Sequence, residues 1–290
     1  MEKILLLSHF ALGDCAACTV ALAKNLSKTS QVFCVTSTQL QYRYLREMPY
    51  FHSVIQSENH RPDKQLYPDV TSNEFIDLHT EKYTDLAKIF ILYDKVYITR
   101  LSFYKQIHKY VDSKLLTNVV APTTEKHIGQ YRPLIYVGYF GFTEFDFSVD
   151  INWYSRYYFD FKCGNNTVLV NGLSDSTLRS YKRTSEVIDL LKSLNFDVRV
   201  FDIKTDIRKN LHLINQAKYI LTTDTSTLWL AKALHKTPFV FMSNNEYPNE
   251  TIQKLLGTKN IVPCRDIDEI EPEEIVQGFL RSIKRQSLME

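Results

Sequence analysis

Short apolar runs recur along this chain, and most are followed by a polar turn and then by apolar residues at helical spacing. Runs of this length with β-branched and aliphatic residues predict buried strands, and their alternation with helices predicts parallel sheets of the α/β class. The predicted strands are Lys3–Ser8, Gln31–Thr36, Lys95–Thr99, Leu134–Tyr139, Thr167–Asn171, Asp197–Phe201, Tyr219–Leu221, Phe239–Met242 and Asn260–Val262.

The intervening segments have apolar residues three and four positions apart, which indicates helices packed on the sheets. We predict a loop-rich segment over 50–71, because it is polar and contains Pro62 and Pro68. The predicted helices are Cys15–Asn25, Gln39–Met48, Glu81–Leu92, Ser102–Tyr110, Thr184–Leu194, Lys209–Gln216, Leu228–His235, Asn249–Leu256 and Pro272–Lys284.

The chain length suggests two domains, since 290 residues exceed the usual size of one domain. The polar sequence Gly164-Asn165-Asn166 precedes a new strand and is the best boundary. We therefore predict an N-terminal domain over 1–163 and a C-terminal domain over 164–290.

The charge balance excludes a strong general attraction to nucleic acid or anionic lipid, because 35 basic and 33 acidic residues leave a net charge of +2. No apolar run reaches the roughly 18 residues that a membrane-spanning helix needs. The five cysteines and a start that does not resemble a signal peptide indicate reduced thiols and a cytoplasmic protein.

The stretch from Ile214 to Met242 is predicted to form a strand, a polar turn, a helix and a second strand. The turn Thr222–Thr227 places hydroxyls and the Asp224 carboxylate at the helix start, where unpaired amides and the helix dipole favour an anion. Hydroxyls of Thr225, Ser226 and Thr227 would add bonds to the same anion. The alternative is that Asp224 or Thr225 only caps the helix.

A second polar turn follows the first strand and contains Leu12-Gly13-Asp14, with Thr19 and Ala21-Leu22 in the helix that follows. The dinucleotide fingerprint GxGxxG is absent. Asp14 is a candidate functional residue, and the alternative is that its carboxylate only caps the following helix. Cys15 and Cys18 have the spacing of half a redox or zinc site, but without a second pair they are predicted to be buried packing thiols.

These two segments resemble the conserved motifs of the heptosyltransferase-like enzymes of glycosyltransferase family 9. Their N-terminal motif reads Leu-Gly-Asp, four residues, Thr-Pro-Ala-Leu, and here Val20 replaces the proline. Their C-terminal motif is a strand, Asp-Thr-Gly, a Leu, a His-Leu-Ala-rich helix and a strand led by proline. This chain supplies Asp224-Thr225, Leu228, Leu230-Ala231, Ala233-Leu234 and Pro238, with Ser226 for the glycine and Trp229 for the histidine.

The resemblance implies a GT-B architecture, with two Rossmann-like domains facing each other across a cleft and a last helix that crosses back to the first domain. It implies an inverting, metal-independent glycosyltransferase without a cofactor, which uses a nucleotide-sugar donor and a glycan or glycolipid acceptor. Surface glycan or lipopolysaccharide synthesis, in the cytoplasm or at the inner membrane face, would be its role.

The same resemblance assigns roles to particular residues. Asp14 is the implied catalytic base, and Gly13 belongs to the turn at the cleft. The loops after Asn171 and Leu221 both follow the carboxyl ends of strands in one sheet, and ligands of such sheets bind at that edge. The two loops are therefore predicted to form one shared anion site. The implied donor and phosphate contacts are Gly172, Ser174, Arg179, Lys182, Asp224, Thr225, Ser226 and Thr227.

Two other functions remain open from the sequence. One is a phage-type DNA glycosyltransferase that modifies hydroxymethylated bases, and the other is a catalytically inactive nucleotide- or sugar-binding module of the same fold. The aromatic-rich stretch 139–161 predicts either a stacking platform or packing between domains. Asp266-x-Asp268 resembles a metal-binding DxD motif, but its place before a helix indicates carboxylates that serve the helix dipole.

Overall fold

The structure is a computed structural model of the chain. The structure describes residues 1–8, 12–56, 83–99, 101–121, 140–142, 144–157, 159, 162–173, 180–202, 204–243, 261–264 and 267–287. The predicted strand Leu134–Tyr139 and helix Asn249–Leu256 lie outside these residues.

The described strands and helices alternate along the chain, as the sequence pattern predicts. The strands are β1 (Glu2–Ser8), β2 (Ser30–Thr36), β3 (Ser53–Gln56), β4 (Lys95–Ile98), β5 (Val119–Val120), β6 (Thr167–Asn171), β7 (Asp197–Val200), β8 (Tyr219–Thr222), β9 (Phe239–Ser243) and β10 (Ile261–Cys264). The helices are α1 (Leu12–Asp14), α2 (Val20–Leu26), α3 (Gln39–Leu45), α4 (83–88), α5 (Leu101–Tyr110), α6 (Thr184–Ser193), α7 (Ile207–Gln216), α8 (Ser226–Ala233) and α9 (Pro272–Ser287). A π-helical segment (Cys15–Thr19) joins α1 to α2, and 3₁₀ turns cover Phe90–Leu92, Ser113–Leu116, Ile151–Tyr157 and Ile267–Glu269.

The chain divides into two compact units. The first comprises Met1–Ile128 and Arg132–Phe147, and the second comprises Gly129–Tyr131 and Ser148–Glu290. The division between Phe147 and Ser148 precedes the predicted domain boundary at residue 164. Val149 donates its amide to the Ala233 carbonyl at 2.8 Å, and Tyr154 is fully buried, so the segment before β6 packs within the second unit.

The sheet of the first unit has the order β3-β2-β1-β4-β5, and all its described pairings are parallel. The switch point lies between β1 and β4, because β2 and β3 are added on one side of β1 and β4 and β5 on the other. In open α/β sheets, ligands bind at such a switch point, beyond the carboxyl ends of the strands. The segment that contains Asp14 follows the carboxyl end of β1.

The sheet of the second unit has the order β10-β9-β8-β6-β7 and is also parallel. Its switch point lies between β6 and β8, whose last residues Asn171 and Thr222 are register partners. The core of this unit includes Val168 and Val170 from β6, together with Ile275 and Phe279 from α9. Helix α9 packs against α6 and β9 of this unit.

The aromatic-rich stretch packs into cores rather than forming one continuous platform in its described part. Phe140, Phe142, Phe145 and Phe147 pack against the core of the first unit, beside Ile4 and Leu6 of β1. Lys24 binds Asp146 at 2.8 Å, and Asn25 Nδ2 donates to the Glu144 carbonyl at 3.0 Å, so α2 holds this segment. Tyr139, Tyr158 and Phe161 lie outside the described residues.

The prediction of a loop over 50–71 is wrong at its start, because Ser53–Gln56 forms β3 and pairs in parallel with β2. This strand has four residues, none of which is fully buried, and its sequence Ser-Val-Ile-Gln contains no apolar run that would predict a buried strand. None of the helices that the structure describes is long and apolar enough to cross a membrane.

Candidate functional site

Asp14 is the last residue of α1 and is half-buried just beyond the carboxyl end of β1. Its neighbour Gly13 is buried and helical, which corrects the prediction of a turn at that residue. The predicted turn extends from 9 to 14, and residues 9–11 lie outside the described part. Asp14 thus stands at the switch point of the first sheet, where a carboxylate can meet a ligand.

Buried polar contacts join the π-helical segment that follows Asp14 to the end of β1, and join the end of β1 to the residue after β4. The hydroxyls of Ser8, at the end of β1, and Thr19 share a hydrogen bond of 2.8 Å, and Ser8 Oγ donates to Cys15 Sγ at 3.6 Å. Thr99, after β4, donates its hydroxyl to the Leu7 carbonyl at 2.9 Å. The π-helical turn Cys15–Thr19 follows Asp14 directly, and such turns occur frequently at functional sites.

Cys15 and Cys18 are fully buried free thiols on this turn, which confirms the prediction of packing cysteines. Burial raises the pKa of the Cys15 thiol to about 11, although hydrogen bonds from Ser8 and Thr19 oppose that rise. Burial also raises the pKa of the Cys18 thiol well above its ordinary value. Both thiols are therefore protonated at neutral pH and are poor nucleophiles.

The segment Thr222–Thr227 joins β8 to α8, as predicted, but its turn is shorter than predicted, because Thr222 ends the strand and Ser226 begins the helix. Thr222, Thr223 and Thr227 are fully buried, whereas Ser226 is partly exposed. A fully buried side chain cannot reach a ligand outside the turn, so the Thr227 hydroxyl has an internal role. Asp224 and Thr225 are buried but retain 6% and 8% exposure, so partly exposed Ser226 and the first amides of α8 are the groups of this segment most open to a ligand.

Asn171 organises this turn, and sequence reasoning missed it as a site residue. Its Nδ2 donates to Thr225 Oγ1 at 3.1 Å and to Thr227 Oγ1 at 2.8 Å. Its Oδ1 accepts from the Leu173 amide at 3.1 Å, and its carbonyl accepts from the Thr223 amide at 3.1 Å. The only signal in the sequence was a polar residue at the end of an apolar strand.

Gly172 begins the loop that the sequence assigned to the donor phosphates. A Cβ at this position would lie 2.1 Å from Thr184 Oγ1, so only glycine fits. The Gly172 carbonyl accepts from the Tyr181 amide at 2.7 Å, and Thr184 Oγ1 donates to the Tyr181 carbonyl at 2.6 Å. The two ends of the loop are thus held together beside the turn. The predicted contacts Ser174 and Arg179 lie outside the described residues.

Lys182 follows this loop and is bound to Asp268, the second acid of the DxD-like motif. Its ammonium lies 2.6 Å from Asp268 Oδ2, and its amide donates to Oδ1 at 3.0 Å. Burial would raise the pKa of the Asp268 carboxyl, but the bonds from Lys182 hold it below its ordinary value. The Lys182 side chain is 82% exposed, so the ammonium still faces solvent. Asp266 is not among the described residues.

In the described part of the chain, no group of three or more His, Cys, Asp or Glu side chains is arranged to hold a metal ion. Asp268 serves as an acceptor for Lys182 instead. The positive end of α8 would attract an anion at this sheet edge, and the exposed Lys182 ammonium carries positive charge after the loop that begins at Gly172, although it is paired with Asp268.

Comparison with solved structures shows the same fold over the whole chain. The ADP-heptose LPS heptosyltransferase II of E. coli superposes with a TM-score of 0.64 at 10% identity, covering 99% of this chain and 100% of that one. A family 9 glycosyl transferase from Veillonella parvula DSM 2008 gives a TM-score of 0.63 at 12% identity, covering 97% and 96%. The chain has the GT-B fold of the heptosyltransferases.

The E. coli heptosyltransferase WaaC, solved with ADP-2-deoxy-2-fluoro heptose, also matches with a TM-score of 0.60 at 11% identity over 97% of this chain and 99% of that one. No family model matches the sequence, and no curated protein matches it. Structural similarity at such low sequence identities shows the fold alone and does not show the activity of this chain.

Proposed function

We propose that this protein is an inverting glycosyltransferase that moves a sugar from a nucleotide-sugar donor to an acceptor hydroxyl without a metal ion or other cofactor. The observation that carries the proposal is the position of the two motifs. Leu12-Gly13-Asp14 and Thr222–Thr227 each follow a strand at the switch point of its own sheet. Those are the two places in this fold where ligands and reacting groups belong.

In the proposed reaction, the acceptor oxygen attacks the anomeric carbon while Asp14 removes its proton. The bond between the anomeric carbon and the donor phosphate oxygen breaks, and the nucleoside diphosphate leaves with the bonding electrons. The first amides of α8 and the Ser226 hydroxyl stabilise the developing negative charge, with Lys182 and Arg179 supplying positive charge.

An ADP-activated heptose is the first donor to test, because the E. coli structures of this fold are named for that class of donor. A glycan or glycolipid of the cell surface is the proposed acceptor, at the cytoplasmic side of the inner membrane. The near-neutral charge of the chain favours this acceptor over DNA, which requires clustered basic residues.

The test compares Asp14→Asn with wild type for release of nucleoside diphosphate in the presence of acceptor extracts. We expect turnover to fall by roughly 10²- to 10⁴-fold, because the amide cannot accept the proton, while donor affinity stays within about twofold. Asp112→Asn is the matched control, since Asp112 lies in the same unit and only caps the 3₁₀ turn at Lys114. Equal turnover in Asp14→Asn and wild type would refute the assignment of the base.

A further inference from the structure

Asn171 is a nearly fully buried polar residue at the end of β6, whose other residues are buried Thr, Val and Leu. Burying an amide costs free energy unless its groups are hydrogen-bonded, and this amide forms three side-chain bonds. Two of them go to hydroxyls that lie more than 50 positions away in the sequence, on the turn after β8 and the first turn of α8. Asn171 therefore joins two loops at the switch point of the second sheet.

The bond to Thr225 changes the start of α8. Thr225 occupies the position before the helix, where a threonine hydroxyl ordinarily accepts a hydrogen bond from the second or third amide of the helix. It forms no such bond here. Its Oγ1 instead meets Asn171 Nδ2 at 3.1 Å and Thr222 Oγ1 at 3.1 Å. Asn171 thereby holds the capping hydroxyl away from the helix amides.

Thr227, inside the first turn of α8, receives the shorter bond from Asn171, at 2.8 Å, and is fully buried. This bond fixes the first turn of the helix relative to β6. The Thr223 amide, which donates to the Asn171 carbonyl, fixes the turn on the other side. The first turn of α8 is thus bound to the Asn171 side chain, and the turn before it is bound to the Asn171 carbonyl.

We propose that Asn171 is the positioning residue of the donor site: it keeps the start of α8 uncapped and oriented for the diphosphate of the donor. It acts through Thr225 and Thr227 and does not itself touch the ligand. The inference rests on the proposed function, since it assumes that a nucleoside diphosphate binds at the start of α8.

The experiment measures the dissociation constants of ADP, UDP, GDP and CDP by calorimetry, together with the unfolding temperature, for wild type, Asn171→Ala and Asn166→Ala. Asn166 is the matched control, because it precedes the same strand at the opposite edge and its Nδ2 donates to the Asn195 carbonyl at 2.6 Å. We expect both variants to unfold at lower temperature. Only Asn171→Ala should weaken the tightest diphosphate, by about tenfold or more.

Thr227→Val provides a second route to the same answer, since it removes the acceptor and retains the shape of a buried side chain. It should also weaken the diphosphate, and Asn171→Ala combined with Thr227→Val should weaken it little further, because both changes break one linkage. Unchanged affinity in Asn171→Ala or in Thr227→Val, or an equal loss in Asn166→Ala, would overturn the inference while the proposed function stands. A wild-type protein that binds none of the diphosphates would overturn the proposed function and this inference with it.

Discussion

Thr223 carries a fully buried hydroxyl that has no hydrogen-bond partner within the described part of the chain. An unsatisfied buried hydroxyl costs roughly 1–3 kcal/mol. Its neighbour Thr222 is equally buried, but its hydroxyl contacts the Thr223 carbonyl at 3.0 Å and Thr225 Oγ1 at 3.1 Å. These two adjacent threonines are therefore equally buried but differ in the hydrogen bonding of their hydroxyls.

We expect Thr223→Val to leave the free energy of unfolding unchanged or to raise it by up to about 1 kcal/mol, because it removes a group that is desolvated without compensation. Thr222→Val should lower it by about 1 kcal/mol, because it breaks satisfied bonds. Urea denaturation of the ligand-free variants measures both values. Equal destabilisation by the two substitutions would show that the Thr223 hydroxyl does form a bond in solution.

The sequence predicted the positions of residues that are set by neighbouring strands, but not the roles of residues whose hydrogen-bond partners lie far away in the sequence. Asp14 and Thr225 lie a few residues after β1 and β8 in the sequence, so their positions near the carboxyl ends of these strands could be predicted. The roles of Asn171 and Lys182 depend on partners 54 and 86 positions away, respectively. Neither periodicity nor propensity reports such pairings.

Tyr181 anchors the base of the loop that begins at Gly172. Its hydroxyl donates to the Ile270 carbonyl at 2.6 Å, which connects the start of α6 to the segment before α9. Burial raises the pKa of the Tyr181 phenol to about 12, although nearby Arg183 opposes the rise. The folded state therefore retains this proton at a pH where the unfolded state, with an ordinary pKa of about 10, releases it.

The sign of the pH effect follows from this difference. The contribution of Tyr181 to stability is complete below pH 10 and is lost as the pH rises from about 10 to 12. We expect Tyr181→Phe to be about 1 kcal/mol less stable than wild type at neutral pH, because a buried hydrogen bond is lost. Its free energy of unfolding should then fall less steeply above pH 10. Parallel urea-derived curves for the two proteins up to pH 11 would contradict this prediction.

Elements with strong apolar periodicity were predicted well, and their ends were less predictable. α8 begins at Ser226 rather than Leu228, and Thr227 in its first turn accepts a hydrogen bond from Asn171 Nδ2 at 2.8 Å. α7 begins at Ile207 rather than Lys209, since the Asp206 carboxylate caps it by accepting from the Arg208 amide at 3.0 Å. β3 was missed because a short, partly exposed strand carries no apolar pattern.

At the scale of the whole molecule, the alternation of strands and helices predicted parallel α/β sheets, and the chain length of 290 residues predicted two domains. The motif resemblance then specified the GT-B fold, and the solved structures confirm it. Strand order and the packing of the aromatic segment required the structure, because both depend on contacts between residues far apart in sequence. Glu144 and Asp146 illustrate this, because they bind Lys28 and Lys24, which lie 116 and 122 positions earlier in the sequence, respectively.

The fold and the site together predict that nucleoside diphosphates stabilise the whole protein. A ligand that binds only the folded state at about 100 times its dissociation constant adds roughly 2.7 kcal/mol. We expect one of ADP, UDP, GDP or CDP to raise the unfolding temperature by several degrees, and the matching nucleoside to raise it much less, because the nucleoside lacks the diphosphate that the proposed site binds at the start of α8. Ser226→Ala should reduce the shift, whereas Ser193→Ala should not, since Ser193 Oγ donates only to the Leu190 carbonyl on α6. Equal shifts with a nucleoside and its diphosphate would place recognition on the base and would argue against an anion site at α8.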